Sequence, residues 1–284
     1  TLTVRIDRGR SAAAITVKGP REPAPADAAA AKQQGAAFWP LALARALDDA
    51  ILHLRFNEET IGTWVVRSEG ALDAVASYDA LLARAGSDWF IREVTLYLKR
   101  VLKRLDVSAR TIFGLVEPGS CFAGTLAELL LAADRVYMLD GSFEGDNRPP
   151  PRVRLTPMNF GAYLMVTGLT RLKARLQDDA GAVEAAAARI GEDLDAAAAE
   201  ATGIATFTPD EIDWEDEVRL AIEERAAFSP DALTGLEASL RFPGPETMES
   251  KIFARLSAWQ NWIFQRPNAV GQAGALKRYG TGQR

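Results

Sequence analysis

The residues best placed to do chemistry are Glu117-Pro118-Gly119-Ser120-Cys121-Phe122-Ala123-Gly124-Thr125-Leu126-Ala127-Glu128-Leu129. They follow the apolar β-forming run 111–116 and lead into an apolar helical run, so they read as a turn between a buried strand and a helix start. Amides near Gly124 and Thr125 then lack partners inside the helix and point into the turn, and the helix dipole adds partial positive charge. Such a nest suits an anion, or the oxyanion of a polarised thioester carbonyl. Glu128, one turn further along, is the candidate acid/base. The competing reading is a plain strand-to-helix turn with a capping threonine and a glutamate of no chemical role. Gly119-x4-Gly124-Thr125 is one residue from a phosphate-binding loop, but the lysine that would touch the phosphates is missing, which argues against nucleotide hydrolysis.

Other chemistries are closed by composition. The chain has one histidine, His53, and one cysteine, Cys121. No zinc cluster, no two-histidine iron site and no intrachain disulfide can be built from these, and a Ser-His-Asp triad would have to use His53 alone. No metal is expected. A nucleophilic Cys121 beside a helix start has no second histidine or cysteine to assist it. His53 ends an apolar helical run and reads as packing or capping. The net charge is −5, against a general nucleic-acid binder. No apolar run is long enough to span a bilayer, and no signal peptide opens the sequence, so a cytoplasmic protein without membrane partners is expected. The start at Thr1, without methionine, reads as a piece of a longer protein or a processed chain.

The elements that must position the turn follow from hydrophobic period. Residues 1–18 read as a hairpin turning at 7–10, and prolines at 20, 23 and 25 hold an extended loop. Helices are expected over 38–54, 78–84 and 88–105, a buried strand over 61–66 and a loop over 67–76. Strand 111–116, helix 124–133 and strand 134–139 make a βαβ unit and imply a largely parallel sheet. Helices are expected over 158–166 and 170–176, as one alanine-rich helix over 182–201, then over 209–226 and 246–264. The division expected is an α/β domain over 1–206 and a C-terminal helical extension with a basic tail over 207–284.

The small residues at the helix start, Glu128-Leu129 and the terminal Ala132-Ala133-Asp134 before a strand resemble the crotonase (enoyl-CoA hydratase/isomerase) superfamily, whose pattern is G-x-x-x-G-G-G-x-E-L followed by C-D. Ala198-x-x-Ala201-x-Gly203-Ile204, before a strand-like stretch within 197–207, is similar to that superfamily's A-x-x-x-G-L-V segment. The resemblance implies a crotonase-like α/β fold, of the ClpP/crotonase type, with a βαβ core and a C-terminal helical extension. It also implies an acyl-CoA thioester substrate, with no cofactor beyond the CoA of the substrate itself. Longer strings at the end, Gly244-Pro245-Glu246-Thr247-Met248-Glu249, Trp259-Gln260-Asn261-Trp262-Ile263-Phe264, Arg266-Pro267-Asn268-Ala269-Val270-Gly271 and Gly274-Ala275-Leu276-Lys277-x-Tyr279-Gly280, resemble the end of the 2,3-epoxybenzoyl-CoA dihydrolase family. That family carries two crotonase-like halves in one chain. It opens the ring of the benzoyl-CoA epoxide with two waters, releases formate, and keeps its catalytic machinery in the first half. The resemblance places this chain as the second half, with the N-terminal half and further copies of the protein as partners.

By the same resemblance, the oxyanion donors would be the amides of Gly124, Thr125 and Ala74, and the acid/base would be Glu128. The departures are specific. One residue is inserted within Ser120–Ala123, and Phe122-Ala123-Gly124-Thr125 replaces the triple glycine. The other oxyanion loop, Ala71-Leu72-Asp73-Ala74-Val75-Ala76, lacks its glycine. The second acid/base glutamate falls near Asn147, which cannot carry a proton at neutral pH, and Glu144 stands three residues away. Water addition needs two proton carriers. Three roles stay open on these residues: a scaffold, a working crotonase-type enzyme using Glu128, and a CoA-binding module. Lys99, Arg100, Lys103 and Arg104 are candidate phosphate contacts or a solvated helix face. Glu211, Asp213, Glu215, Asp216 and Glu217 form an acidic helix start that the dipole favours. Trp259, Trp262 and Phe264 lie on more than one helix face and imply burial against a second body.

Overall fold

The computed structural model describes residues 1–241 and 246–281. Five strands, β1 (Leu2–Asp7), β2 (Ala12–Lys18), β3 (Thr63–Glu69), β4 (Thr111–Val116) and β5 (Arg135–Met138), form one sheet in sequence order. The β1–β2 hairpin is antiparallel and turns at residues 8–11. Every other pair is parallel, with Val65 opposite Phe113 and Gly114 opposite Val136. Parallel pairing requires crossovers, and helices supply them. The crossover from β2 to β3 is α1 (Ala28–Gln34) and α2 (Trp39–Phe56), that from β3 to β4 is α3 (Leu72–Arg84) and α4 (Trp89–Asp106), and α5 (Gly124–Leu131) joins β4 to β5.

Each crossover helix forms where its apolar period matches the sheet. In α4 the buried side is Ile91, Val94, Leu98, Val101, Leu102 and Leu105, and the Asp88 carboxylate caps the start by accepting from the Phe90 amide at 2.9 Å. Strand β4 is buried along its whole length, because both faces are covered. One face, with Ile112, Val116, Val136 and Met138, meets α2 to α5 in the main core. The other, with Val65, Phe113, Leu115 and Tyr137, meets Trp214, Val218 and Ala221 of α9 (Trp214–Ala226). Gly114 lets α5 close on the sheet, since a Cβ there would fall 2.6 Å from Leu130 Cδ2.

The remaining helices are α6 (Arg171–Arg175), α7 (Ala180–Ala187), α8 (Ala196–Ala201), α10 (Pro230–Leu240), α11 (Met248–Ser250), α12 (Ser257–Ile263), α13 (Pro267–Val270) and α14 (Ala275–Arg278), with a π-helical turn over Lys251–Leu256. Several expectations need correction. Helix α3 begins at Leu72, so the loop expected over 67–76 is the end of β3 and the first turn of a helix. Only a 3-10 turn, Pro157–Phe160, forms within 158–166, held by the Thr156–Asn159 capping box. The alanine-rich helix is two helices. Gly191, at φ 85°, turns the chain so that its amide reaches the Leu155 carbonyl, and Leu194 pairs with Val153. Helices α1 and α10 were not anticipated. Gly244 and Pro245 of the C-terminal strings lie outside the described residues.

Candidate site at the start of helix α5

The β4–α5 turn is tied at its base by the Glu117 amide donating to the Ser120 hydroxyl at 3.0 Å and by the Arg67–Glu117 ion pair at 2.6 Å. Cys121 is fully buried behind it, and its amide donates to the Ser68 hydroxyl. Burial pushes its thiol up to about 11, the reverse of what a nucleophile requires.

Helix α5 starts at Gly124, and its first amides already have partners within the chain. The Gly124 N–H donates to the Arg154 carbonyl at 2.9 Å. The Thr125 N–H donates to Asp79 Oδ2 at 2.8 Å, and the Thr125 hydroxyl donates to Asp79 Oδ1 at 2.5 Å. The Thr156 hydroxyl completes the set around that carboxylate at 2.8 Å. Asp79 comes from the inner side of α3, where it is 2% exposed. Burial lifts its carboxyl to about 6, against the hydrogen bonds from Thr125 and Thr156. The anion nest at this helix start is therefore formed, and the chain's own aspartate is bound in it.

Ala74 lies buried in the first turn of α3, and its carbonyl accepts from the Ser77 hydroxyl at 2.7 Å. Beside it, Asp73 pairs with Arg154 at 2.7 Å, and Arg154 also pairs with Asp193. Arg154 bonds through its main chain to Phe122 and Gly124 and through its side chain to Asp73. It thus stitches together the two loops from which oxyanion donors are expected.

Glu128 is 1% exposed. Its Oε1 accepts from Asn159 Nδ2 at 2.7 Å and its Oε2 from Arg171 Nη1 at 2.9 Å. Arg171 clamps Asp106 through Nε and Nη2 at 2.8 and 2.7 Å and donates to the Tyr163 carbonyl. The Tyr163 hydroxyl lies 2.9 Å from the Thr125 hydroxyl, and the Asn159 side chain accepts from the Thr156 amide. The bonds close a buried ring through Asp79, Thr125, Tyr163, Arg171, Glu128, Asn159 and Thr156. Burial raises the Glu128 carboxyl above its ordinary value, opposed by Arg171 and Asn159. Fully satisfied buried networks of this kind hold a core in one arrangement.

The remaining candidates are dispersed. Asn147 and Glu144 are both exposed on the loop after β5, where neighbouring Arg148 and Asp146 pair. His53 is exposed, with Nδ1 3.2 Å from the Asn57 amide nitrogen. Arg104 is held by Asp48 at 2.8 Å, and Arg100 lies over the Tyr97 ring. Glu215, Asp216 and Glu217 form the first turn of α9. Trp259 packs on Gly235 and edge-on to Trp262. With Leu236, Leu256 and Phe264 they line an open apolar groove of about 490 Å³ between α10 and α12. Sequence reasoning missed Asp79, Arg154, Asn159, Tyr163 and Arg171. The one signal was an aspartate placed among the apolar inner positions of α3, between Val75, Tyr78 and Leu82.

A sheet of this order, with its β4–turn–α5–β5 unit, is the crotonase fold. The chain matches the enoyl-CoA hydratase of Geobacillus kaustophilus at a TM-score of 0.66 and 16% identity, covering 100% of this chain and 94% of that one. It matches human enoyl coenzyme A hydratase domain-containing protein 3 at 0.65 and 14%, covering 100% and 98%. By sequence it is a homologue of the benzoyl-CoA-dihydrodiol lyase of Aromatoleum evansii, 51% identical over 279 residues, which is 98% of this chain and 49% of the lyase. The chain thus spans about half the length of that curated relative. No protein-family model matches the sequence. Among the described residues no helix is long and apolar enough to cross a membrane.

Proposed function

We propose that this chain is the C-terminal, non-catalytic half of a cytoplasmic benzoyl-CoA-dihydrodiol lyase. The parent enzyme opens the ring of 2,3-epoxybenzoyl-CoA with two waters and releases formate. This half packs against the catalytic N-terminal half and against further copies of the protein. The identity to a lyase of twice the length supports the parent activity. The structural role rests on one observation: the Gly124 and Thr125 amides and both Glu128 oxygens are already bonded, to the Arg154 carbonyl, Asp79, Asn159 and Arg171. A thioester carbonyl would have to displace Asp79 and Arg154 to reach those amides. A proton leaving Glu128 would have to break its pairing with Arg171 and Asn159.

The test is Glu128→Gln in the two-half enzyme. The amide keeps the shape and the bond to Asn159 but leaves Arg171 with one carboxylate fewer. We expect kcat within about twofold of wild type and a lower unfolding temperature. Loss of a positioned acid/base group costs roughly 10²–10⁴ in rate, so a fall of that size in a fully folded variant would put catalysis in this half.

A further inference from the structure

Helix α10 carries the C-terminal helices, and its polar attachment to the α/β body is a compact charge cluster. The Thr111 hydroxyl, at the start of β4, donates to Glu237 Oε1 at 2.7 Å. Arg241 Nη2 donates to Glu237 Oε2 at 2.9 Å, to Asp134 Oδ2 at 3.0 Å and to the Arg110 carbonyl at 2.8 Å. Asp134, in the link between α5 and β5, also accepts from the Ile112 amide at 2.6 Å. Glu237 is 4% exposed and the Arg241 side chain 6%. Two carboxylates from different elements thus meet at one guanidinium nitrogen, Glu237 buried and the Asp134 side chain 23% exposed. The apolar contacts of α10 to the body include Leu233 and Pro230 over Gly62. Beyond α10, the arm is tied back to that helix, Arg266 to Asp231 at 2.6 Å and Trp259 onto Gly235.

We propose that Glu237, Asp134 and Arg241 form a proton-held latch that fixes α10 and the C-terminal helices to the α/β body, and that losing the proton on Glu237 loosens it. With the proton present, one negative charge faces Arg241 and Glu237 is neutral. Without it, two charges face one guanidinium, and that of Glu237 is buried. The surroundings do not cancel the second charge. Asp106 adds negative charge, and Arg171, which faces it, is already shared between Asp106 and Glu128. Arg175 on α6 acts on Asp134, but its side chain is spent on the carbonyls of Gly203, Ala133 and Ile204. Burial and then the Asp134 charge lift Glu237 to about 7, against Arg241. A carboxyl raised in the docked state favours docking most below its free value of 4.5. That advantage is lost as pH rises through about 7.

The experiment is hydrogen exchange of the 284-residue chain from pH 5 to 8.5, corrected for intrinsic exchange, comparing amides 231–241 with those of α4. In wild type, α10 protection should fall on the order of tenfold relative to α4 as pH rises through 7. Glu237→Gln, which mimics the protonated acid, should remove that slope. Asp134→Asn, which removes the second carboxylate but not the burial of Glu237, should reduce the slope and covers the case in which Glu237→Gln fails to fold. A wild-type ratio that does not change with pH, or a slope undiminished in a folded variant, overturns the latch.

Discussion

Arg171→Met should be among the most damaging single substitutions in the α/β body, lowering stability by about 3–5 kcal/mol, the cost of breaking a buried ion pair from one side. Arg171 faces two carboxylates, Asp106 and Glu128, and all three side chains are about 1% exposed. Methionine fills the aliphatic volume but leaves both acids without a counter-charge. Each must then take up a proton or stay buried and charged. The loss should therefore shrink as pH falls and both carboxyls protonate, which is measurable by urea unfolding at pH 5 and pH 8. Adding Asp106→Asn and Glu128→Gln to Arg171→Met should recover much of the stability, since neutral partners remove the uncompensated charge. Equal losses at both pH values and no recovery in the triple variant would show that Arg171 acts through packing alone.

Gly124→Ala is expected to cost about 2–5 kcal/mol for two independent reasons. Gly124 has φ +41°, a left-handed conformation that costs a side-chain-bearing residue about 1–2 kcal/mol. A Cβ there would also fall 1.5 Å from Asp79 Oδ2 and 2.4 Å from Thr156 Oγ1. The carboxylate must leave its donors, and a buried polar group stripped of hydrogen bonds costs on the order of 1–3 kcal/mol. The steric part depends on Asp79. Shortening that side chain in Asp79→Ala should make Gly124→Ala cheaper, and a double-mutant cycle on thermal unfolding isolates the coupling. If the two losses simply add, the Asp79 carboxylate does not sit against Gly124.

Much of the frame was legible in the sequence, for reasons that can be named. Beyond Thr111, strand 111–116 carries no polar side chain because it is buried on both faces, and α4 shows its inner side at every turn. The turn after β4 stood out because small residues between a strand and a helix have few other uses. Expectations failed where a local pattern was ambiguous. Alanine carries too little hydrophobic contrast to show where a helix stops, so the break at Gly191 was read through. The first turn of α3 has no side-chain cap, and Ala71 starts it from an extended conformation, so nothing in 67–76 announced a helix.

The site was legible as a place but not as a state. Gly124, Thr125 and Glu128 lie together at the start of α5, as their spacing implies. What fills the nest comes from 46 residues earlier, through Asp79, and from the 154–171 segment, through Arg154, Asn159 and Arg171. Pairings at that separation depend on how α3 and the Arg154 segment fold back over α5. A single sequence shows an aspartate among apolar residues and an arginine at a helix start, but not that they meet the same turn.

The α5 nest already holds its anion, the Asp79 carboxylate. Titration of the 284-residue chain with millimolar benzoyl-CoA, read by calorimetry and by thermal unfolding, tests it most directly, because a ligand that binds the folded state raises its unfolding midpoint. We expect no saturable heat and an unchanged midpoint in a fully folded chain. Saturable binding with a raised midpoint, abolished by Gly124→Ala, would mean that the thioester displaces Asp79 and that the chain holds a working acyl-CoA site.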